Sequence, residues 1–246
     1  MRVWWQEITG LVLPAGCAGC GRPRTPLCEG CRTALCARGA RRVRPSPAPP
    51  GLPAVYAAAG YADVVRAVLL GHKERGGLRL AGPLGEALAG AVRKAGGTPG
   101  RAGGAGGGGP GPLLLVPVPS ARRAVLARGH DPVRRLALAA AWVLRRDRVA
   151  ARVVPVLAQR RPVADQAGLG ARERLANLAG ALEVVPGGAR LLAPGRVVVV
   201  DDLVTTGATL AEAARAVRAV SRPVAGAAVV AAPPVAFVWN RNSNRT

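Results

Sequence analysis

The five residues Arg196 to Val200, RVVVV, are apolar at every position after the first. Strand side chains point alternately to the two faces of a sheet, so such a run predicts a strand buried on both sides. Three other stretches read as strands: LLLVPVP (Leu113 to Pro119), ended by prolines, RVVPVL (Arg152 to Leu157) and VAGAAVVAA (Val224 to Ala232). Helical patterns lie between and before them. From Tyr61, the residues Val64, Val65, Val68 and Leu69 fall at helix spacing until GHKERGG breaks it. A second amphipathic stretch runs from Leu78 to about Val92. Asp131 stands where a helix cap would, with Pro132 in the first turn, before a helix to about Arg146. A polar loop from Ala158 turns into a short helix, and another helix follows Gly207 to Val220. Alternating strands and helices predict an α/β fold with a mostly parallel, doubly wound sheet.

Cys17, Cys20, Cys28 and Cys31 form two C-x2-C pairs separated by seven residues. Two such knuckles can present four thiolates tetrahedrally to one Zn²⁺, and four cysteines leave no open position, so the expected zinc is structural. A redox C-x-x-C is the alternative. Cys36 reads as a plain small residue or as a substitute ligand. The expected organisation is an N-terminal helix and zinc knuckle over residues 1–44, then a Pro-rich linker over 45–53. The linker character already begins at Arg41. The main domain spans 54–232 and a polar tail 233–246, with a Gly-rich insertion at 96–112. The G-x-G-x-x-G match at Gly104 to Gly109 precedes a strand and opens no helix, so it is accidental.

The formal net charge is +22, and arginine supplies nearly all of it, Lys73 and Lys94 being the only lysines. Such a balance suits an anionic partner, namely nucleic acid, a membrane surface or a phosphorylated small molecule. A GC-rich genome would raise Arg, Ala, Gly and Pro together and is the other explanation. The arginines are scattered, which weakens a DNA-binding reading. No apolar run reaches the roughly 18 residues of a membrane span. Gln6 and Glu7 interrupt the apolar N-terminus, so the expectation is a cytoplasmic protein without membrane insertion.

The strand RVVVV runs into Asp201 and Asp202, then into Thr205, Thr206, Gly207, Ala208 and Thr209. In an open parallel sheet, ligands bind beyond the carboxyl ends of the strands. Two carboxylates there need donors, and ribose hydroxyls are suitable. The threonines, a glycine and a helix N-terminus just after them make a phosphate cradle. Acids for a sugar and a cradle for a phosphate fit a ribose 5-phosphate. No Walker A lysine pattern is present.

This stretch resembles the phosphoribosyl-diphosphate (PRPP) loop of type I phosphoribosyltransferases. The cysteine knuckle, HKERGG, VPVPSARRAVLARGHD, RRPVADQAGLGARERLANLAG and the acid pair also resemble, in order and rough spacing, the ComF competence family. The resemblance covers about residues 3–232 and implies the type I phosphoribosyltransferase fold with a small hood. It implies that Asp201 and Asp202 hold the ribose hydroxyls and that residues 205–209 bind the 5-phosphate. Ser120, Arg122, Arg123 and Arg128 would face pyrophosphate. Gln166, Arg172 and Asn177 match the block that would close over substrate, and Lys73 matches a lysine of the hood. The family usually shows Phe-Asn-Gln where His130, Asp131 and Pro132 stand here. His72 and His130 read as local hydrogen-bonders. Purine salvage enzymes carry an aspartate at the position of Thr205, which argues against that role. The implied chemistry is loss of pyrophosphate from C1 of PRPP with Mg²⁺, and transfer to an unidentified acceptor. The other implied role is a PRPP-binding or single-stranded-DNA-binding accessory protein of DNA uptake.

Overall fold

The computed structural model describes residues 16–74, 77–97, 111–161, 171–220 and 222–238. The expected N-terminal helix, most of the Gly-rich insertion, Gln166 and the end of the polar tail lie outside them. The main sheet has six strands in the order β1 (Arg41–Val43), β2 (Val55–Gly60), β8 (Val224–Ala232), β7 (Arg196–Leu203), β3 (Leu113–Pro117) and β4 (Ala151–Val153). β1 pairs antiparallel with β2, and every other neighbouring pair is parallel. The sheet is therefore mixed and mostly parallel. A separate antiparallel ribbon pairs β5 (Leu157–Gln159) with β6 (Leu182–Val184).

The alternation of the central strands supplies two cores. Val198 and Val200 of β7 join Leu113 and Leu115 of β3 and Ala228 and Val230 of β8 on one face. Val197 and Val199 join Leu114, Val116, Ala227 and Val229 on the other. Helix α2 (Asp63–Glu74), α3 (Ala81–Gly96) and α5 (Pro132–Arg146) cover the first face. Helix α8 (Ala208–Ala219) covers the second, through Leu210, Ala213, Ala216 and Val217. Each fully buried leucine or valine contributes about 1.5–3 kcal/mol relative to exposure, so two-sided burial holds the central strands firmly. Three further helices are short: α1 (Glu29–Cys36), α4 (Arg122–Arg128) and α6 (Ala171–Leu178); α7 (Gly188–Leu192) is a single turn or so. Asp131 caps α5 as expected, its carboxylate accepting from the Arg134 amide at 3.1 Å.

Three expectations need correction. The run Arg152 to Leu157 is two strands, because Pro155 has no amide hydrogen to continue a ladder. β4 stays in the main sheet and β5 starts the ribbon. The stretch from Arg41, read as linker, begins as strand β1: Val43 is buried and pairs with Val55. The tail, read as polar from residue 233, is packed at its start. Phe237 is buried and bridges Val43, and the Arg44 amide donates to the Ala236 carbonyl at 2.7 Å. Strand β2 was not anticipated, since VYAAAG carries little β-propensity. Pairing with the equally alanine-rich β8 allows the two backbones to meet with small side chains between layers.

No helix among the described residues is long and apolar enough to cross a membrane.

Candidate functional site

Two clusters of chemistry-bearing side chains stand out. The first is the knuckle. The Sγ atoms of Cys17, Cys20, Cys28 and Cys31 all lie within 4.8 Å of one another. Tetrahedral ligation at a Zn–S distance near 2.3 Å puts sulfurs about 3.8 Å apart, so the four fit around one such ion. Cys20 and Cys28 already stand at 3.6 Å. Cys28 is the residue before α1 and Cys31 lies in its first turn, so one helix start supplies half the set. Gly19 is required by close approach: a Cβ there would sit 2.7 Å from Cys31 Sγ. Burial works against the Cys17 thiolate, but amides of Cys28, Cys20 and Gly19 point at it and together bring its pKa down to about 6. Burial and the neighbouring sulfurs push the Cys31 thiol up, so Cys31 resists ionising unless a cation shares its charge. Cys36, exposed at the end of α1, is not part of the group.

The second cluster stands at the carboxyl end of the sheet. β7 carries Asp201 and Asp202 at its end, and strand alternation turns them to opposite faces. Asp202 is buried and faces the side covered by α2. Its Oδ2 lies 3.1 Å from Lys73 Nζ. Asp201 Oδ1 accepts the Asp202 amide at 2.8 Å. Desolvation, then the charge of Asp202, pushes the Asp201 carboxyl well above the usual carboxylate range. Burial presses the Lys73 ammonium down, but Asp202 and Asp201 outweigh it and hold its pKa above the ordinary lysine value.

After β7 the chain turns at Gly207, which sits in the left-handed region at φ 78° and precedes α8. Thr205 is exposed, Thr206 and Thr209 are half-buried, and Thr206 Oγ1 accepts the Ala208 amide at 3.4 Å. A Cβ on Gly207 would meet the Leu52 side chain at 3.1 Å and Pro45 at 3.3 Å, so the Pro-rich segment backs this loop. Neither that backing nor its residues were foreseen.

Of the residues expected to face pyrophosphate, Ser120 gives its hydroxyl to Asp131 Oδ1 at 3.2 Å. Arg122 and Arg123 are exposed at the start of α4. Arg128 Nη2 donates to both carboxylate oxygens of Glu74, at 3.0 and 3.2 Å. Arg128 is also close enough to Lys73 for its charge to oppose part of that rise. The pairing of Glu74 with Arg128, 54 residues apart in the chain, gave no signal in the sequence. Arg172 lies in α6, with its side chain outside the described set. Both histidines hydrogen-bond locally. His72 is buried with Nε2 3.3 Å from the Pro132 carbonyl, and burial lowers its pKa. His130 Nδ1 lies 3.0 Å from the Arg128 carbonyl.

Chemically, this edge offers carboxylates to hydroxyls or a hard cation, and a helix-start loop and an arginine to phosphate. No model of a known protein family matches the chain, and a search of curated proteins finds no match.

Proposed function

We propose that the carboxyl edge of the sheet binds PRPP with Mg²⁺, and that the protein transfers phosphoribose to an acceptor. The observation that carries this reading is the sequence of groups on one strand-turn-helix unit. An acid pair ends the central strand β7, and within a few residues a left-handed glycine opens α8. Asp201 and Asp202 accept from the ribose hydroxyls. Residues 205–209 offer amides and threonine hydroxyls to the 5-phosphate. Arg128, with Arg122 and Arg123, attracts the diphosphate. Carboxylate oxygens are the hard donors Mg²⁺ prefers, so the acid pair suits it, and the ion would neutralise charge on the leaving group. In the reaction, the C1–O bond to pyrophosphate breaks and the electron pair leaves with pyrophosphate. An acceptor lone pair forms the new bond at C1. This reading takes the domain as a type I phosphoribosyltransferase fold of the ComF kind, a cytoplasmic protein associated with DNA uptake. The ion of the cysteine knuckle is structural zinc.

A second reading rests on the exposed arginines Arg22, Arg24, Arg32, Arg38, Arg42 and Arg44 on and beside the knuckle. They suit single-stranded nucleic acid, with PRPP bound as an effector rather than turned over.

Isothermal titration of the zinc-loaded protein with PRPP and Mg²⁺, beside an Asp201→Ala/Asp202→Ala variant, tests the first reading. Binding in the parent and none in the variant is expected. No binding in either overturns it. Pyrophosphate release across an acceptor panel then separates transfer from binding alone. Steep weakening of oligonucleotide binding with salt would mark the second reading.

A further inference from the structure

Two consecutive side chains at the end of α2 reach two different elements. Lys73 pairs with Asp202 on β7 at 3.1 Å. Glu74 takes two hydrogen bonds from Arg128 at the end of α4. The two pairs have opposite polarity. If the edge is the diphosphate site proposed above, on which this inference rests, its ligand brings a cation to the acids and an anion to the arginine. In the free protein each of those positions holds a side chain with the sign of the ligand part that would replace it. We infer that Lys73 and Glu74 form an internal placeholder, so that ligand binding is an exchange in which Glu74 gives up Arg128 and Lys73 gives up Asp202.

Folding alone gives little reason for Glu74. A carboxylate in the last turn of a helix opposes the helix dipole, which favours cations there. The pair is also open to water, with side-chain exposures of 22 % for Arg128 and 48 % for Glu74, and such pairs add little to stability. Acids are scarce in this chain, 13 against 35 basic residues, yet one stands on an arginine at the edge of the anion-binding region. Its effect there is to withhold Arg128 from weak anions. Only a ligand that also brings a cation for the acid pair gains from opening both contacts. The pair thereby selects a metal-chelated diphosphate over free phosphate.

The test is titration of the full, zinc-loaded chain with inorganic pyrophosphate in Mg²⁺. Glu74→Gln keeps an acceptor for Arg128 but removes the charge. It is expected to bind pyrophosphate about two- to fivefold more tightly than the parent, the range set by breaking one exposed pair. Glu86→Gln, which removes a charge paired with Arg32 elsewhere, should leave affinity unchanged. In an Arg128→Gln background, Glu74→Gln should bring no gain. For the cation half, Lys73→Met should bind Mn²⁺ alone about tenfold more tightly, since a contacting positive charge has left the acids. Equal gains in Glu74→Gln and Glu86→Gln would reduce the effect to net charge and overturn the placeholder. So would unchanged or weaker pyrophosphate binding by Glu74→Gln while the parent binds, and a lower melting temperature without a gain would identify a structural tie instead. Unchanged Mn²⁺ binding in Lys73→Met overturns the exchange at the acids. Absence of pyrophosphate binding in the parent and every variant overturns the site reading itself, and the placeholder with it.

Discussion

The knuckle and the carboxyl edge are both charged sites, but they balance charge in opposite ways. The knuckle gathers four potential anions within 4.8 Å, drawn from 15 consecutive residues, Cys17 to Cys31, with no side-chain cation in the group. The edge gathers acids and bases from α2, α4 and β7, and the structure already pairs Lys73 with Asp202 and Glu74 with Arg128. A set of like charges needs an outside ion to become stable. A set of opposite charges folds without its ligand and yields it a modest affinity. Metal should thus be a folding requirement at the knuckle and a ligand-binding requirement at the edge.

The largest effect should come from breaking the knuckle. Cys31→Ser, or chelation, should remove hydrogen-exchange protection from residues 16–36 while amides of β7 and β8 keep theirs. Structural zinc contributes about 10–16 kcal/mol in small cysteine and histidine folds, so the local loss should be complete. Protection lost across the main sheet as well would mean the two regions are one folding unit. Next in size, Asp202→Ala should weaken PRPP binding about 10- to 100-fold, as expected for loss of charged hydrogen bonds, without changing bound zinc. Loss of zinc in that variant would erase the distinction.

The two close-packed glycines give a matched pair of smaller effects. Gly19→Ala places a methyl 2.7 Å from Cys31 Sγ and should lower zinc affinity at least about tenfold in a chelator competition. Gly207→Ala keeps the knuckle intact but strains a left-handed residue, at about 1–2 kcal/mol. That corresponds to a fall of several degrees in melting temperature in a chain of this size.

Acidity should move the regions in opposite directions. Folding raises the Asp201 carboxyl above its unfolded value of 3.8, so the folded edge holds a proton that the unfolded chain has lost. The stability this brings is complete below the unfolded value and fades as pH rises toward the raised folded one. Asp201→Asn should therefore be more stable than the parent at neutral pH, with the gap closing toward pH 4, in urea unfolding of the zinc-loaded protein. The knuckle should release zinc as pH falls, because thiolates must be re-protonated. Parallel pH slopes in the two regions would contradict this account. The smallest expected effect is where the knuckle's helix meets the main domain, away from the edge. Arg32 of α1 pairs with Glu86 of α3 at 2.5 Å, with Arg32 half exposed. Arg32→Ala should cost less than about 1 kcal/mol in thermal unfolding, since exposed pairs contribute little.

How well the sequence foretold each region follows from chain distance. The four cysteines, the acid pair and the glycine before α8 are each local, and spacing alone exposes them. The valines of β7 likewise declare a strand buried on both faces, because period-two alternation with no polar position leaves no solvent side. The alanines of β2 declare nothing, since alanine has no strong preference for a strand and acquires one only beside β8. Strand β1 and buried Phe237 were hidden for a related reason: β1 gains its ladder from the alanine-rich β2, and Phe237 is buried against Val43, almost 200 positions away in a chain of 246 residues.

Sequence by itself determined the ligands of the knuckle, the α/β alternation and the acids and glycine of the edge, because each is a property of a short segment. Only the tertiary structure decided that Lys73 meets Asp202, that Glu74 meets Arg128 and that Leu52 and Pro45 support Gly207. Those contacts join residues 54 to 162 positions apart, and no local periodicity encodes them. They arise when the packing of α2, α4 and the Pro-rich segment brings their charges and apolar groups to one end of the sheet.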